Sequence, residues 1–196
     1  MQGKIPIANA FKNTFLDGIE MDVFEAVQKR HSTRAYEPTS VPEEKLNRVL
    51  EAARLAPTAG NVQPWHFIIV KSREKREALA RGGRFARFLA ESPVVIVGCG
   101  DQKASPNWYR VDVAIAMQNM VLTATGEGLG TCWIGSYNEN HVRRLLKIPD
   151  TLRVVAMIAL GYPREKLDIG GKILHLVRRK KSLEKILSVE EYAKAS

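Results

Sequence analysis

Apolar positions along the chain switch between a helical and a strand-like period, and each switch marks an element. Val23, Phe24 and Val27 recur at helical spacing, and Asp22 with Glu25 three residues on forms a capping-box start. This first helix is predicted to end near Arg30. Ser40-Val41-Pro42-Glu43-Glu44 opens a second helix, with proline and acids suited to its first turn. Leu46, Val49, Leu50 and Ala53 then share a face, and Pro57 stops it. Trp65–Val70 is a short apolar, β-branched run and predicts a buried strand. Residues 73–80 read as a short helix. Residues 93–99 read as a second strand, ended by Gly98 and Gly100. Residues 111–125 are apolar nearly all round. A helix of that kind is predicted to be fully buried, in a core or a subunit interface, and Gly126 and Gly128 end it. Residues 131–134 form a short strand, and Asn138 caps a helix bearing Val142, Leu145 and Leu146. Residues 153–160 form a core strand, and residues 176–196 are basic, then amphipathic. Helices alternate irregularly with strands, which gives α/β or α+β with one mixed sheet.

Composition narrows the class. The 196 residues are 45% hydrophobic and 26% charged, ordinary globular values that exclude a disordered chain. Residues 21–196 are expected to form one domain. Residues 1–20 carry little pattern and read as an N-terminal extension, either an arm or an upstream start. No apolar run approaches the ~18–20 residues of a membrane span, and no signal peptide opens the chain. Cys99 and Cys132 suit free thiols in a reducing cytoplasm. The net charge of +9 attracts anions: nucleic acid, anionic lipid or a phosphorylated cofactor.

Several kinds of chemistry lack their signatures. There is no P-loop. Gly126-Glu127-Gly128-Leu129-Gly130 follows a helix, where a dinucleotide fingerprint follows a strand. Gly98-Cys99-Gly100 does follow a strand, but Lys103 stands where the third glycine is needed. Both segments read as caps and turns. His31, His66, His141 and His175 have no metal-ligand spacing, so no metal site is predicted. No nucleophile-elbow pentapeptide occurs. Three segments remain. Lys29-Arg30-His31-Ser32-Thr33-Arg34 alternates cations with hydroxyls, which together suit a phosphate or simply complement a helix end. Ala56-Pro57-Thr58-Ala59-Gly60-Asn61-Val62-Gln63-Pro64-Trp65 is a proline-fixed loop whose small residues let a flat ligand approach, or a plain helix-to-strand connection. Arg178-Arg179-Lys180-Lys181 is a solvated face or a nucleic-acid patch.

In this order, and with Gly128-Leu129-Gly130-Thr131-Cys132-Trp133-Ile134-Gly135, Gly161-Tyr162-Pro163 and the basic tail before Leu183-Glu184, these segments resemble the nitroreductase family. The resemblance spans residues 21–187. It implies an α+β, three-layer α/β/α nitroreductase-like fold, with a central mixed, mainly antiparallel sheet and a long helix buried at a dimer interface. It implies FMN as cofactor, NADH or NADPH as co-substrate, and ping-pong transfer of electrons to a flat small-molecule acceptor such as a nitroaromatic or quinone. Arg30, Ser32, Arg178 and Lys180 would hold the phosphate and ribityl chain, and His31 would contact the flavin through its backbone or simply pack at the surface. Arg34 would set its cation near the N1–C2 edge, where reduced flavin is negative. Ile134, Gly135 and Ser136 would offer backbone N–H groups to the ring. Pro57, Thr58 and Asn61 would reach it from the other subunit of a homodimer. Arg87 aligns loosely with a further basic contact. No catalytic side-chain acid or base is expected. Trp108 and Tyr109 would form a wall of an open site or cap the buried helix. The family's dehydrogenase and dehalogenase types, a passive flavin-binding protein and a basic nucleic-acid-binding module are the alternatives. Neither nucleic acid nor membrane is expected as a partner, and the expected location is the cytoplasm.

Overall fold

Four strands carry the core: β1 (Trp65–Val70), β2 (Val94–Asp101), β3 (Gly130–Ile134) and β4 (Leu152–Gly161). The computed structural model describes residues 21–83, 86–164 and 180–192. The sheet order is β1-β2-β4-β3, and each neighbouring pair runs antiparallel. Side chains of β2 alternate with a period of two. Val95, Val97 and Cys99 face α3 (Arg73–Arg81) and α5 (Glu139–Leu146), where Leu79 and Val142 meet them. Val94 and Ile96 face α2 (Glu43–Arg54) and α4 (Tyr109–Gly126), packing with Leu46, Val49, Ala116 and Met120. Helices on both faces of a largely antiparallel sheet make the expected three-layer α+β fold. The parallel pairing among the described residues is the single bridge of Ser32 with Thr131, on the outer side of β3.

A bulge shifts the β2–β4 register: Gly98 faces Ala156, while Cys99 faces Val154. Val154 therefore joins the α3/α5 layer and Ala156 the α4 layer, although they are two residues apart. The reading of Gly98 and Gly100 as strand-ending turns is corrected, since both lie inside β2. A Cβ on Gly98 would collide with Met117 Sδ, and one on Gly100 would come within 2.6 Å of the Tyr109 ring. The glycines mark where α4 crosses the strand closely, which a linear pattern cannot distinguish from a turn.

The caps fall where predicted. Asp22 Oδ1 accepts the Glu25 N–H at 2.8 Å, opening α1 (Val23–Lys29). Asn138 Oδ1 accepts the His141 N–H at 3.0 Å, opening α5. Two helices differ from expectation in burial. On α1 the buried residue is Ala26, while Val23, Phe24 and Val27 are exposed. Helix α4 buries Val113, Met117, Met120 and Val121 but leaves Val111 (45%) and Ile115 (36%) exposed. One protomer therefore does not cover this helix on every side. The open stripe continues at helical spacing through the half-buried Gln118 and Leu122.

The chain divides after Arg164 into two compact units. Of the second, residues 180–192 contain one short 3-10 turn, Leu183–Lys185, with Leu183, Ile186, Leu187 and Tyr192 exposed. No helix among the described residues is long and apolar enough to cross a membrane.

Candidate flavin site

Beyond α1 the backbone becomes an extended strap along β3. The Arg30 N–H closes the helix on Ala26 O at 3.0 Å, and the Thr33 N–H donates to Thr131 O at 2.8 Å. Thr33 is buried directly against Gly130, where an added Cβ would lie 2.8 Å from both Cβ and Cγ2 of Thr33. Burying Thr33 turns its neighbours outward, so Ser32 is half-buried and Arg34 exposed. The buried Tyr36 holds the strap from below, its hydroxyl donating to Thr33 O at 2.7 Å. Burial pushes the Tyr36 phenol far up; Cys132 adds to this and the Arg34 cation opposes it. Tyr36 therefore remains a protonated donor. His31 is exposed, with its ring Nδ1 3.1 Å from Lys29 O. Arg30, Ser32 and Arg34 thus emerge from one short strap.

The strand beside that strap ends in an open backbone. Ile134 is buried, while Gly135 and Ser136 are exposed. Nothing lies within 4 Å of the place a Gly135 Cβ would take. The Ser136 carbonyl packs on Gly83, 2.7 Å from its ideal Cβ position, and the Asn138 N–H donates to Gly82 O at 3.0 Å. Gly83 also lines a cavity of about 670 Å³ with Arg81 and Arg87. The sequence aligned Arg87 only loosely; the structure places it at the start of a short 3-10 turn, on the cavity it shares with Gly83.

The loop at residues 57–63 is held in an unusual conformation. Gly60, Asn61 and Gln63 have φ of 57°, 55° and 53°, and two of the three are not glycine. Thr58 Oγ1 accepts the Gln63 N–H at 3.1 Å, and Gln63 Nε2 donates to Asn61 Oδ1 at 3.1 Å. The Ala59 N–H donates to Asp112 Oδ1 at 3.2 Å. Asp112 escaped the sequence reading, although an acid within an otherwise apolar helix was the available signal. Pro57 and Asn61 are exposed.

The loop leads into β1, at one edge of the sheet, whereas Ser32 and Ile134 belong to the β3 edge. Three strand spacings, about 14 Å, separate the two edges. The structure therefore joins Arg30, Ser32 and Arg34 with β3 and its end at Ile134, Gly135 and Ser136, and leaves Pro57, Thr58 and Asn61 across the sheet. Trp108 is the N-cap residue of α4 and is 54% exposed, and Tyr109, the first helical residue, is buried against Gly100. Arg178 lies outside the described residues. Lys180 is exposed in the second unit. Among the described residues no group of three or more His, Cys, Asp or Glu is placed to hold a metal ion.

A strap of cations and a hydroxyl along an edge strand, with an uncovered backbone at that strand's far end, can receive an elongated, anionic ligand. The nitroreductase family model matches residues 27–82 and 81–162, and the chain belongs to this family. A Methanothermobacter thermautotrophicus protein that bears the provisional name NADH dehydrogenase/NAD(P)H nitroreductase is 38% identical over 152 residues, covering 74% of this chain and 80% of the relative. The crystal structure of a nitroreductase family protein from Clostridium novyi NT is 37% identical with a TM-score of 0.70, covering 76% of this chain and 90% of that one. An FMN-dependent nitroreductase from Clostridium difficile R20291 is 33% identical with a TM-score of 0.67, covering 72% and 87%.

Proposed function

We propose that this chain is an FMN-dependent oxidoreductase that takes reducing equivalents from NADH or NADPH and passes them, by a ping-pong scheme, to a flat acceptor such as a nitroaromatic or quinone. The observation that carries the reading is the strap from Arg30 to Arg34, bridged to Thr131 on β3, the strand whose far end opens at Gly135. The residues fit the cofactor. Guanidinium groups and the Ser32 hydroxyl suit a phosphate and ribityl chain, and the space over Gly135 suits a ring laid against backbone donors. FMN, when bound, supplies the two-electron redox chemistry. The protein's part is binding and electrostatics. Arg30 and Ser32 would hold the phosphate end. Arg34 places a fixed positive charge where the reduced ring carries negative charge. Arg87 adds a cation on the Gly83 side.

The protein acts as a homodimer with the cofactor at the subunit interface. Two observations support this. The loop bearing Pro57, Thr58 and Asn61 lies across the sheet from the strap, so a second copy is the natural source of that half. The exposed apolar residues Val111 and Ile115 on α4, and Val23 and Phe24 on α1, form a surface that pairing would cover. A groove of about 400 Å³ lined by Val23, Ala26, Ala52, Leu55 and Leu122 lies between the same helices.

The test is an absorbance spectrum of purified protein before and after anaerobic NADH or NADPH. Bands near ~370 and ~450 nm that bleach on addition are expected. Persistent bands would leave a flavin-binding protein without this turnover, and absence of bands after reconstitution with FMN would remove the reading.

A further inference from the structure

Asp112 is the sole acidic residue of α4, and it is 2% exposed. Its two carboxylate oxygens serve separate segments. Oδ1 accepts the Ala59 N–H at 3.2 Å, and Oδ2 lies 3.5 Å from the Ser105 hydroxyl, itself buried. Ser105 belongs to the tight connection between β2 and α4, in which Asp101 Oδ1 accepts the N–H groups of Lys103 and Ala104. One buried carboxylate on the best-packed helix of the fold therefore joins the loop of residues 57–63 to the connection that ends at the exposed Trp108.

That loop needs an anchor. Its three left-handed residues adopt a backbone that ordinary L residues seldom take, and such backbones persist only where the surroundings impose them. The loop's internal bonds, Gln63 N–H to Thr58 and Gln63 Nε2 to Asn61, shape it but do not attach it to the sheet layers. The Asp112 contact does, at the residue between Thr58 and Gly60. Burial also removes competing water, which strengthens a hydrogen bond to a backbone N–H.

We propose that Asp112 is a positioning residue for cofactor binding: it holds the Ala59 N–H and so fixes the loop whose Pro57, Thr58 and Asn61 meet the flavin bound by the partner subunit. This rests on the flavin reading above. Asp112 does not touch the cofactor; it acts through Ala59.

The experiment compares Asp112→Ala, Asp112→Asn and Ala59→Pro with the wild type in the full chain. Ala59→Pro breaks the contact from the loop side: it removes the donor and sets its ring Cδ where the amide hydrogen pointed at Asp112 Oδ1, while the extended backbone of Thr58 (φ −135°, ψ 155°) is the one proline requires before it. Two readouts are taken: hydrogen exchange of the amides of residues 59–63 without cofactor, and FMN affinity by fluorescence titration. Asp112→Ala is expected to speed exchange in the loop and to weaken FMN about tenfold or more, while the rest of the fold keeps its protection. Asp112→Asn, whose amide oxygen still accepts, is expected to recover to within about threefold. Asp112→Ala combined with Ala59→Pro should be no weaker than Asp112→Ala alone. Should Asp112→Ala fail to fold, Ala59→Pro reads the same contact from the loop side. Unchanged loop exchange in the single variants, or additive losses in the double, would overturn the proposal. If the wild type binds no FMN, the flavin reading fails, yet the exchange data still decide whether Asp112 holds the loop.

Discussion

Replacing Gly130 by alanine tests the strap directly. The added methyl would collide with Thr33 Oγ1 and sit 2.8 Å from Thr33 Cβ and Cγ2. These atoms branch next to the main chain, so a rotamer change cannot clear them and the strap backbone must lift. Lifting it stretches the 2.8 Å bond from the Thr33 N–H to Thr131 O. Overpacking of this kind costs ~1–3 kcal/mol, and the lost hydrogen bond about 1 kcal/mol more. For a chain of this size that lowers the melting temperature by roughly 4–16 °C. FMN affinity should fall at least about tenfold, because Ser32 and Arg34 flank the displaced residue. Thermal unfolding without cofactor and a fluorescence titration with FMN read the two effects separately. Thr33→Val serves as a control. It keeps the shape and removes a hydroxyl oxygen that is buried without a hydrogen-bond partner among the described residues, so stability should hold or rise by about 1 kcal/mol. A Gly130→Ala protein that melts and binds FMN like the wild type would refute the claim that close approach at Gly130 holds the strap.

Arg34→Gln should lower the midpoint potential of bound flavin on the order of 30 mV, about 1.4 kcal/mol for a two-electron couple; an unchanged or more positive potential, by spectroelectrochemistry, removes Arg34 from its electrostatic role. Ile115→Asp places a charge on the open stripe of α4 and should convert the proposed dimer to a folded monomer with weakened FMN binding; light scattering that still shows a dimer would exclude this face from the interface. Burial, reinforced by Glu139, raises the Cys99 thiol to about 11 and the Tyr137 phenol to about 12, from ordinary values of 9.0 and 10.0. The unfolded chain releases both protons at lower pH than the native one, so stability should be level below pH ~9 and fall as pH rises through ~9–12. Urea midpoints that rise with pH across this range would contradict the assignment, as would Cys99 labelling by a thiol reagent in the native protein at neutral pH.

Local physical chemistry was written plainly in the sequence. Periodicity and caps marked out the helices and strands, because Asp22 and Asn138 act on N–H groups three positions away, although β2 runs past Gly98 and Pro42 is an N-cap with no side-chain bond to α2. The order of the Arg30–Arg34, Pro57–Trp65 and Gly128–Gly135 segments was enough to place the chain in its family. Tertiary structure decided everything that depends on what lies across a face. Gly98 and Gly100 read as punctuation until α4 was laid over them and a side chain at either position met Met117 or Tyr109. Helix α4 is apolar all round, so its pattern could not reveal that Val111 and Ile115 stay open in one protomer. The left-handed backbone of Asn61 and Gln63, and the carboxylate of Asp112 that anchors their loop, join residues some fifty positions apart. The same holds for the strap: its charges were legible one by one, but only the pairing of Ser32 with Thr131 lays them along the edge strand that ends at Gly135. A linear pattern records which side chains a residue can satisfy locally, and contacts between distant segments arise only when the whole chain packs.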